Sequence, residues 1–151
     1  MKNLLFYVLI FMCFQMNSQN KNEAEKVKTC INSFFEGMHK ADTLLINKVT
    51  DTTLILQTIF VNKNKETTLI TSSKKNFLKA ISNKNPNDIW FEKLMSFNIK
   101  IDTNMANVWA PYEFYLNGEF SHCGVNSFQL FKNNGNWEII YIVDTRRKVC
   151  N

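Results

Sequence analysis

An α+β domain with its helices gathered on one face of a curved sheet is what the sequence predicts, and three observations carry that prediction. Apolar residues recur at helical spacing early in the chain, they alternate at strand spacing late in it, and two Asn-Gly pairs punctuate the late part. The chain has 151 residues, 45% of them hydrophobic and 13% aromatic, with only four Gly and two Pro, so one globular domain with a real core is expected and a disordered or collagen-like chain is excluded.

Lys2, an apolar run from Leu4 to Phe14 and the small polar stretch Gln15-Met16-Asn17-Ser18-Gln19 have the layout of a secretory signal peptide. The run is too short for a spanning helix, which needs about 20 residues, and the bulky Ile10-Phe11-Met12 before Cys13 argues against lipidation. Residues 1–19 are therefore read as a signal peptide and 20–151 as the domain. The expected location is secreted or periplasmic, with no stable membrane insertion after cleavage.

Ala24, Val27, Ile31, Phe34, Phe35 and Met38 step by three and four, which predicts an amphipathic helix over residues 22–40. Asp42 suits the cap of a short second helix through Leu44-Leu45-Ile46. Thr53–Val61 and Thr67–Thr71, rich in Ile, Leu, Val and Thr and joined by Asn62-Lys63-Asn64-Lys65-Glu66, predict a first hairpin. Ser72-Ser73 caps a third helix over residues 74–82, where Phe77, Leu78 and Ile81 share a face, and the loop Asn83-Lys84-Asn85-Pro86-Asn87 ends it. From Asp88 to Thr145 turn signals at Asp102-Thr103-Asn104, Asn117-Gly118 and Asn134-Gly135 divide four strands of a meander. Asn-Gly is the strongest of these, because a tight mirror-image turn needs positive φ at both central positions.

Two-residue turns at the Asn-Gly pairs set a register by simple counting. Tyr115 then faces Phe120, Glu113 faces His122, Trp109 faces Asn126, Phe128 faces Tyr141, Asn126 faces Val143 and His122 faces Arg147. One face collects Trp109, Tyr115, Phe120, Phe128, Leu130, Trp137, Ile139, Tyr141 and Val143 around a polar centre of Glu113, His122 and Asn126. The other face carries Val108, Ala110, Tyr112, Phe114, Ser121, Cys123, Val125, Ser127, Gln129, Ile140, Ile142, Asp144 and Arg146, a mixture that suggests partial burial in a homodimer. A slip of one residue would exchange the two faces.

The stretches Met105–Tyr115 and Phe120–Phe128, with Trp137 and Asp144-Thr145-Arg146-Arg147 after them, are similar to the exported lumazine-binding group of the nuclear transport factor 2-like (SnoaL-like, cystatin-like) superfamily, as is Phe34–Asp42 upstream. The resemblance implies a cone-shaped roll, in which N-terminal helices pack into the concave face of a strongly bent, mixed or antiparallel sheet and leave a pocket between them. The superfamily holds isomerases and dehydratases as well as silent binding and dimerising domains, so the resemblance gives an architecture and a pocket but no activity.

Within that frame Glu113 and His122 are the catalytic candidates, because a carboxylate beside an imidazole fixes its tautomer and raises its pKa into the working range. A buried structural pair is the plainer reading of the same two residues. Trp109, Tyr115 and Tyr141 can stack on a flat ligand, Asn126 can donate to a ligand carbonyl, and Arg147 can clamp an anion with its fork. Tyr112 is a weaker choice, His39 reads as a helix cap, and Asp144 with Arg146 as a surface or interface salt bridge. Beyond the leader three Cys remain, Cys30, Cys123 and Cys150, consistent with one disulfide, Cys123–Cys150 or Cys30–Cys150.

Without Lys2 the chain keeps 17 basic and 13 acidic residues, scattered rather than clustered, which does not indicate nucleic-acid binding. No Gly-rich phosphate loop, metal-ligand spacing or Ser-nucleophile motif is present, so no metal and no cofactor is expected. The sequence thus predicts an exported domain that binds a small molecule in a partly apolar pocket. The rivals are a cofactor-free isomerase or dehydratase built on Glu113 and His122, and a structural or dimerising domain with a filled cavity.

Overall fold

The computed structural model describes residues 2–150, with side chains from residue 21 onward. The export reading of residues 1–19 therefore lies outside the described side chains, and no described helix is long and apolar enough to cross a membrane.

Helix α1 (Lys2–Lys40) is followed by α2 (Thr43–Lys48), β1 (Thr50–Val61), β2 (Thr67–Ser73), α3 (Lys74–Ser82), β3 (Trp90–Leu94), β4 (Asn98–Asp102), β5 (Met105–Leu116), β6 (Glu119–Asn133) and β7 (Asn136–Arg146). The caps are those the sequence signals. The Asp42 carboxylate accepts from the backbone N–H groups of Leu44 and Leu45, and the Ser73 hydroxyl accepts from Asn76 N–H. At both Asn-Gly turns Asn and Gly take positive φ, 55° and 84° at residues 117 and 118, 48° and 86° at 134 and 135.

The stripe of α1 is buried as its spacing predicts, with Val27, Ile31, Phe34, Phe35 and Met38 all inside. It packs on Ala106, Val108, Ala110, Phe128, Leu130, Trp137, Ile139 and Ile142, the inward residues of β5, β6 and β7. The strands form one seven-stranded mixed sheet in the order β2-β1-β7-β6-β5-β3, with β4 also on β5. All pairs are antiparallel except β1 with β7.

The structure differs from the sequence reading in two ways. Residues 88–101, read as one strand, form two, because the chain breaks at Met95-Ser96-Phe97 and both pieces pair with β5. The register counted from the turns holds only near them. Tyr115 faces Phe120 and Leu130 faces Ile139, but beyond these β6 carries one extra residue at Ser121 and β7 one at Ile140. These are β-bulges, in which two residues oppose one and the strand bends. Past them Glu113 pairs with Cys123, Phe114 with His122, Ala110 with Asn126, Phe128 with Ile142 and Asn126 with Asp144, while Arg147 bridges to Cys123. Each bulge shifts every later side chain to the other face. The two faces predicted from sequence are therefore mixtures of the real ones.

Candidate functional site

The concave face is made of Tyr112 and Phe114 on β5, His122 and Asn126 on β6, Asp144 and Arg146 on β7 and Thr58 on β1, rather than of the residues first grouped together. Asp144, nine-tenths buried, is the hub of a polar cluster. Its Oδ2 accepts from Tyr112 Oη at 3.1 Å and Arg146 Nε at 2.9 Å, and its Oδ1 accepts from Thr58 Oγ1 at 2.6 Å. The single Tyr112 hydroxyl proton is shared with the Thr145 carbonyl, 3.0 Å from the same oxygen. The pair read as a surface salt bridge is thus formed, but its carboxylate is inside and held by two hydroxyls as well. Burial, with Asp144 and Glu92 nearby, keeps the Tyr112 phenol protonated far above the usual range.

Asn126 is buried and donates from Nδ2 to Glu92 Oε1 at 2.7 Å. Burial pushes the Glu92 carboxyl up to about 8; the Asn126 bond opposes the shift, Asp144 adds to it and Arg146 reduces it. The backbone N–H of Glu92 in turn donates to His39 Nε2 at 2.8 Å. His39 therefore ties α1 to β3 instead of capping its own helix. Burial and Lys84 hold its pKa below the ordinary value, which suits a neutral ring accepting at Nε2.

The predicted acid–base pair is not assembled. A bulge separates Glu113 from His122, and Glu113 faces outward, accepting from Tyr115 Oη at 2.8 Å with Lys93 at 3.8 Å. His122 sits on the concave side between the rings of Phe114, 5.0 Å away, and Tyr112, 5.8 Å away, with Ser121 Oγ 3.1 Å from its Nδ1. Burial and then Arg146 push its pKa down to about 4, so the ring is neutral at physiological pH.

The predicted ligand-binding residues divide in the same way. Trp109 points outward and is 53% exposed, Tyr115 lies over Phe120 and Phe91 on that outer side, and Tyr141 bonds to Gln57 there. Only Asn126 and Arg147 remain on or beside the concave surface.

A cleft of ≈ 850 Å³ opens on that surface, lined by Thr58, Phe60, Val61, Ile70, Phe114, Ser121, His122, Arg146, Arg147 and Lys148. Every one of these residues belongs to β1, β2, β5, β6, β7 or the segment just after β7, and none to a helix. The space expected between helices and sheet is largely filled by Phe34, Phe35 and Phe128, and the cleft stands where the helices no longer cover the sheet. Its far wall is pinned by the Cys123–Cys150 disulfide and by two 2.9 Å backbone bonds between Cys123 and Arg147. Of the two pairings left open by the sequence this is the one formed. Cys30 is a buried thiol, its pKa pushed by burial up to about 12, and it donates to the Trp137 carbonyl.

Sequence reasoning missed Thr58, Phe60, Ile70, Phe114 and Glu92. The first three reach the site only because β1 lies parallel to β7, a contact between segments 86 residues apart at Thr58 and Asp144. The Thr58-Phe60 alternation was the available signal, but it does not name its neighbour. Among the described residues no group of His, Cys, Asp and Glu is arranged to hold a metal ion.

No family profile matches the sequence, and no curated protein matches it. Solved structures do match. A nuclear transport factor 2-like superfamily protein from Salmonella enterica serovar Typhimurium superposes with a TM-score of 0.65 at 15% identity, covering 87% of this chain and 96% of that one. A Nostoc punctiforme protein of unknown function with a cystatin-like fold gives 0.65 at 11% identity over 82% and 90% of the two chains. A candidate dehydratase of the same family from Streptomyces avermitilis gives 0.66 at 10% identity over 86% and 99%.

Proposed function

We propose, starting from the nuclear transport factor 2-like fold that this chain shares with those structures, that the protein is a small-molecule-binding domain whose ligand enters the cleft between Phe60, Phe114 and His122. The cleft itself is the observation that supports this reading. It is concave, its walls are mainly apolar, and a few polar groups converge at its floor, the usual make-up of a small-molecule site. Thr58 and Arg146, which line the cleft, are both fixed on the buried Asp144, so that floor is ordered before a ligand arrives. An acid–base enzyme built on Glu113 and His122 is not supported, because the two side chains lie on opposite faces of the sheet.

Native mass spectrometry of the protein purified without denaturation tests the reading. A small molecule should accompany the folded chain, leave on unfolding, and be reduced in Ile70→Trp, which fills the mouth of the cleft from a half-exposed position. Aromatic compounds come first among those to identify, in line with the lumazine-binding group that residues 105–128 resemble. A wild-type chain that carries nothing and takes up nothing from a fragment library would end the proposal.

Export and pairing belong to the same proposal. The layout of residues 1–19 and a disulfide of the kind that persists in oxidising compartments support export. Trp109, Met105 and Phe120, each more than two-fifths exposed, support a second copy of this chain on the outer face.

A further inference from the structure

The cleft combines apolar ends with a basic strip. Phe60 and Val61 on β1 and Ile70 on β2 line one end and Phe114 on β5 the other, and Val61 and Ile70 are more than half exposed. Between them β7 and the segment after it carry three consecutive cations, Arg146, Arg147 and Lys148, and no acidic side chain lines the cleft among the described residues. The three cations are not equivalent. Arg146 is committed to the buried Asp144, with its Nε 2.9 Å from Oδ2, and also reaches Thr58. Arg147 and Lys148 make no ion pair with a described acidic side chain. The segment that carries them is nevertheless held in place: the Arg147 backbone is bonded twice to Cys123, Lys148 Nζ donates to the Ser121 carbonyl at 2.7 Å, and the disulfide anchors the chain two residues further on. Cations carried on a backbone held in this way, beside desolvating apolar surface, favour an anion, since less conformational freedom is lost on binding than with cations on a mobile segment.

We infer that this cleft, if it is the small-molecule site proposed above, selects amphipathic monoanions, with an aromatic or aliphatic body against Phe60, Ile70 and Phe114 and a carboxylate or sulfonate at Arg147 and Lys148. A polyanion such as a nucleotide triphosphate fits less well. Only two cations are uncommitted to a carboxylate, and neither a helix N-terminus nor a run of glycines lines the cleft to hold further phosphate oxygens. His122 presents a neutral ring to the body of the ligand, adding a polar contact without repelling or attracting the charge.

Two probes that share one aromatic body test this by fluorescence titration: 8-anilinonaphthalene-1-sulfonate, which is anionic, and N-phenyl-1-naphthylamine, which is not. The sulfonate should bind saturably at one site, at least about tenfold more tightly than the uncharged probe, and decanoate should displace it where decanol does not. Substituting Arg147→Gln with Lys148→Gln should weaken the sulfonate about tenfold and leave the uncharged probe within about twofold. Arg147→Gln alone should give part of that loss, and Ile70→Trp should weaken both probes. Unchanged melting of each variant separates lost contacts from lost fold. Equal affinity for the two probes, unmoved by the charge substitutions but still lowered by Ile70→Trp, would overturn the anion preference and leave the binding site standing. Saturable binding of neither probe nor decanoate would overturn both.

Discussion

Glu92 is a carboxyl group held inside the fold by one amide, and its proton is coupled to stability. Its folded pKa of about 8 stands above the ordinary carboxylate value of 4.5 because burial penalises the charged form. A raised pKa means the folded state binds this proton more tightly than the unfolded state does. The group's contribution is therefore complete below about 4.5, declines as pH rises, and is gone above about 8. Glu92→Gln keeps an oxygen for Asn126 and removes the proton, so its stability relative to wild type should climb between pH 4.5 and 8 and level off beyond, as read by urea unfolding at a series of pH values. His39 and His122 are shifted downward and act in the opposite sense, losing stability as pH falls from 6.5. The variant-minus-wild-type difference isolates Glu92. A flat difference would show that the carboxyl is ionised in the fold at neutral pH. Glu92 was not legible in the sequence because its burial depends on Asn126 and Asp144, 34 and 52 residues away, whereas the neighbours Asp144 and Arg146 were legible as a pair because strand periodicity alone brings i and i+2 together.

At the scale of elements, what is local in sequence was legible and what depends on pairing was not. Helix starts at Asp42 and Ser73, the α1 stripe and both Asn-Gly turns follow from side-chain chemistry within a few residues. The bulges at Ser121 and Ile140 leave no such mark, since an extra residue in an alternating strand looks like its neighbours until a partner strand is present to count against. They decide which side chains reach the cleft, so a correct reading of the strands on either side of Asn117-Gly118 still led to a wrong pairing of Glu113 with His122. Gly124 belongs to the same bent region. A Cβ added there would stand 1.7 Å from the Thr145 carbonyl oxygen, a backbone atom that cannot turn aside. Gly124→Ala should cost about 3 kcal/mol or more, measurable as a fall in the urea midpoint with unchanged slope. A midpoint within error of wild type would mean that β6 and β7 do not approach this closely.

For the whole molecule the disulfide is a stability element as well as an edge of the cleft. It closes a loop of 27 residues between Cys123 and Cys150, for which the chain-entropy account gives roughly 3.5 kcal/mol. Reduction, or Cys150→Ser, should lower thermal stability by about that amount and should loosen Arg147 and Lys148 before it loosens α1, which hydrogen exchange of the two regions would resolve. Equal loss of protection in both would make the bond a global tether only. The sheet order was the part of the architecture least available from sequence, because its one parallel contact joins β1 to β7 across the length of the domain.

That contact also fixes a timetable. Every other described strand leaves the ribosome before β7, yet β7 lies in the middle of the sheet, between β1 and β6. Until residues 136–146 arrive, the β1–β2 hairpin and the β3–β6 block are two pieces with no shared seam, and Asp144 is not there to gather Thr58 and Tyr112. Cys150, which secures the finished arrangement, emerges later still. A nascent chain thus stays open until its C-terminal strand arrives and then closes around it, so the sheet is completed only when the last strand has been made.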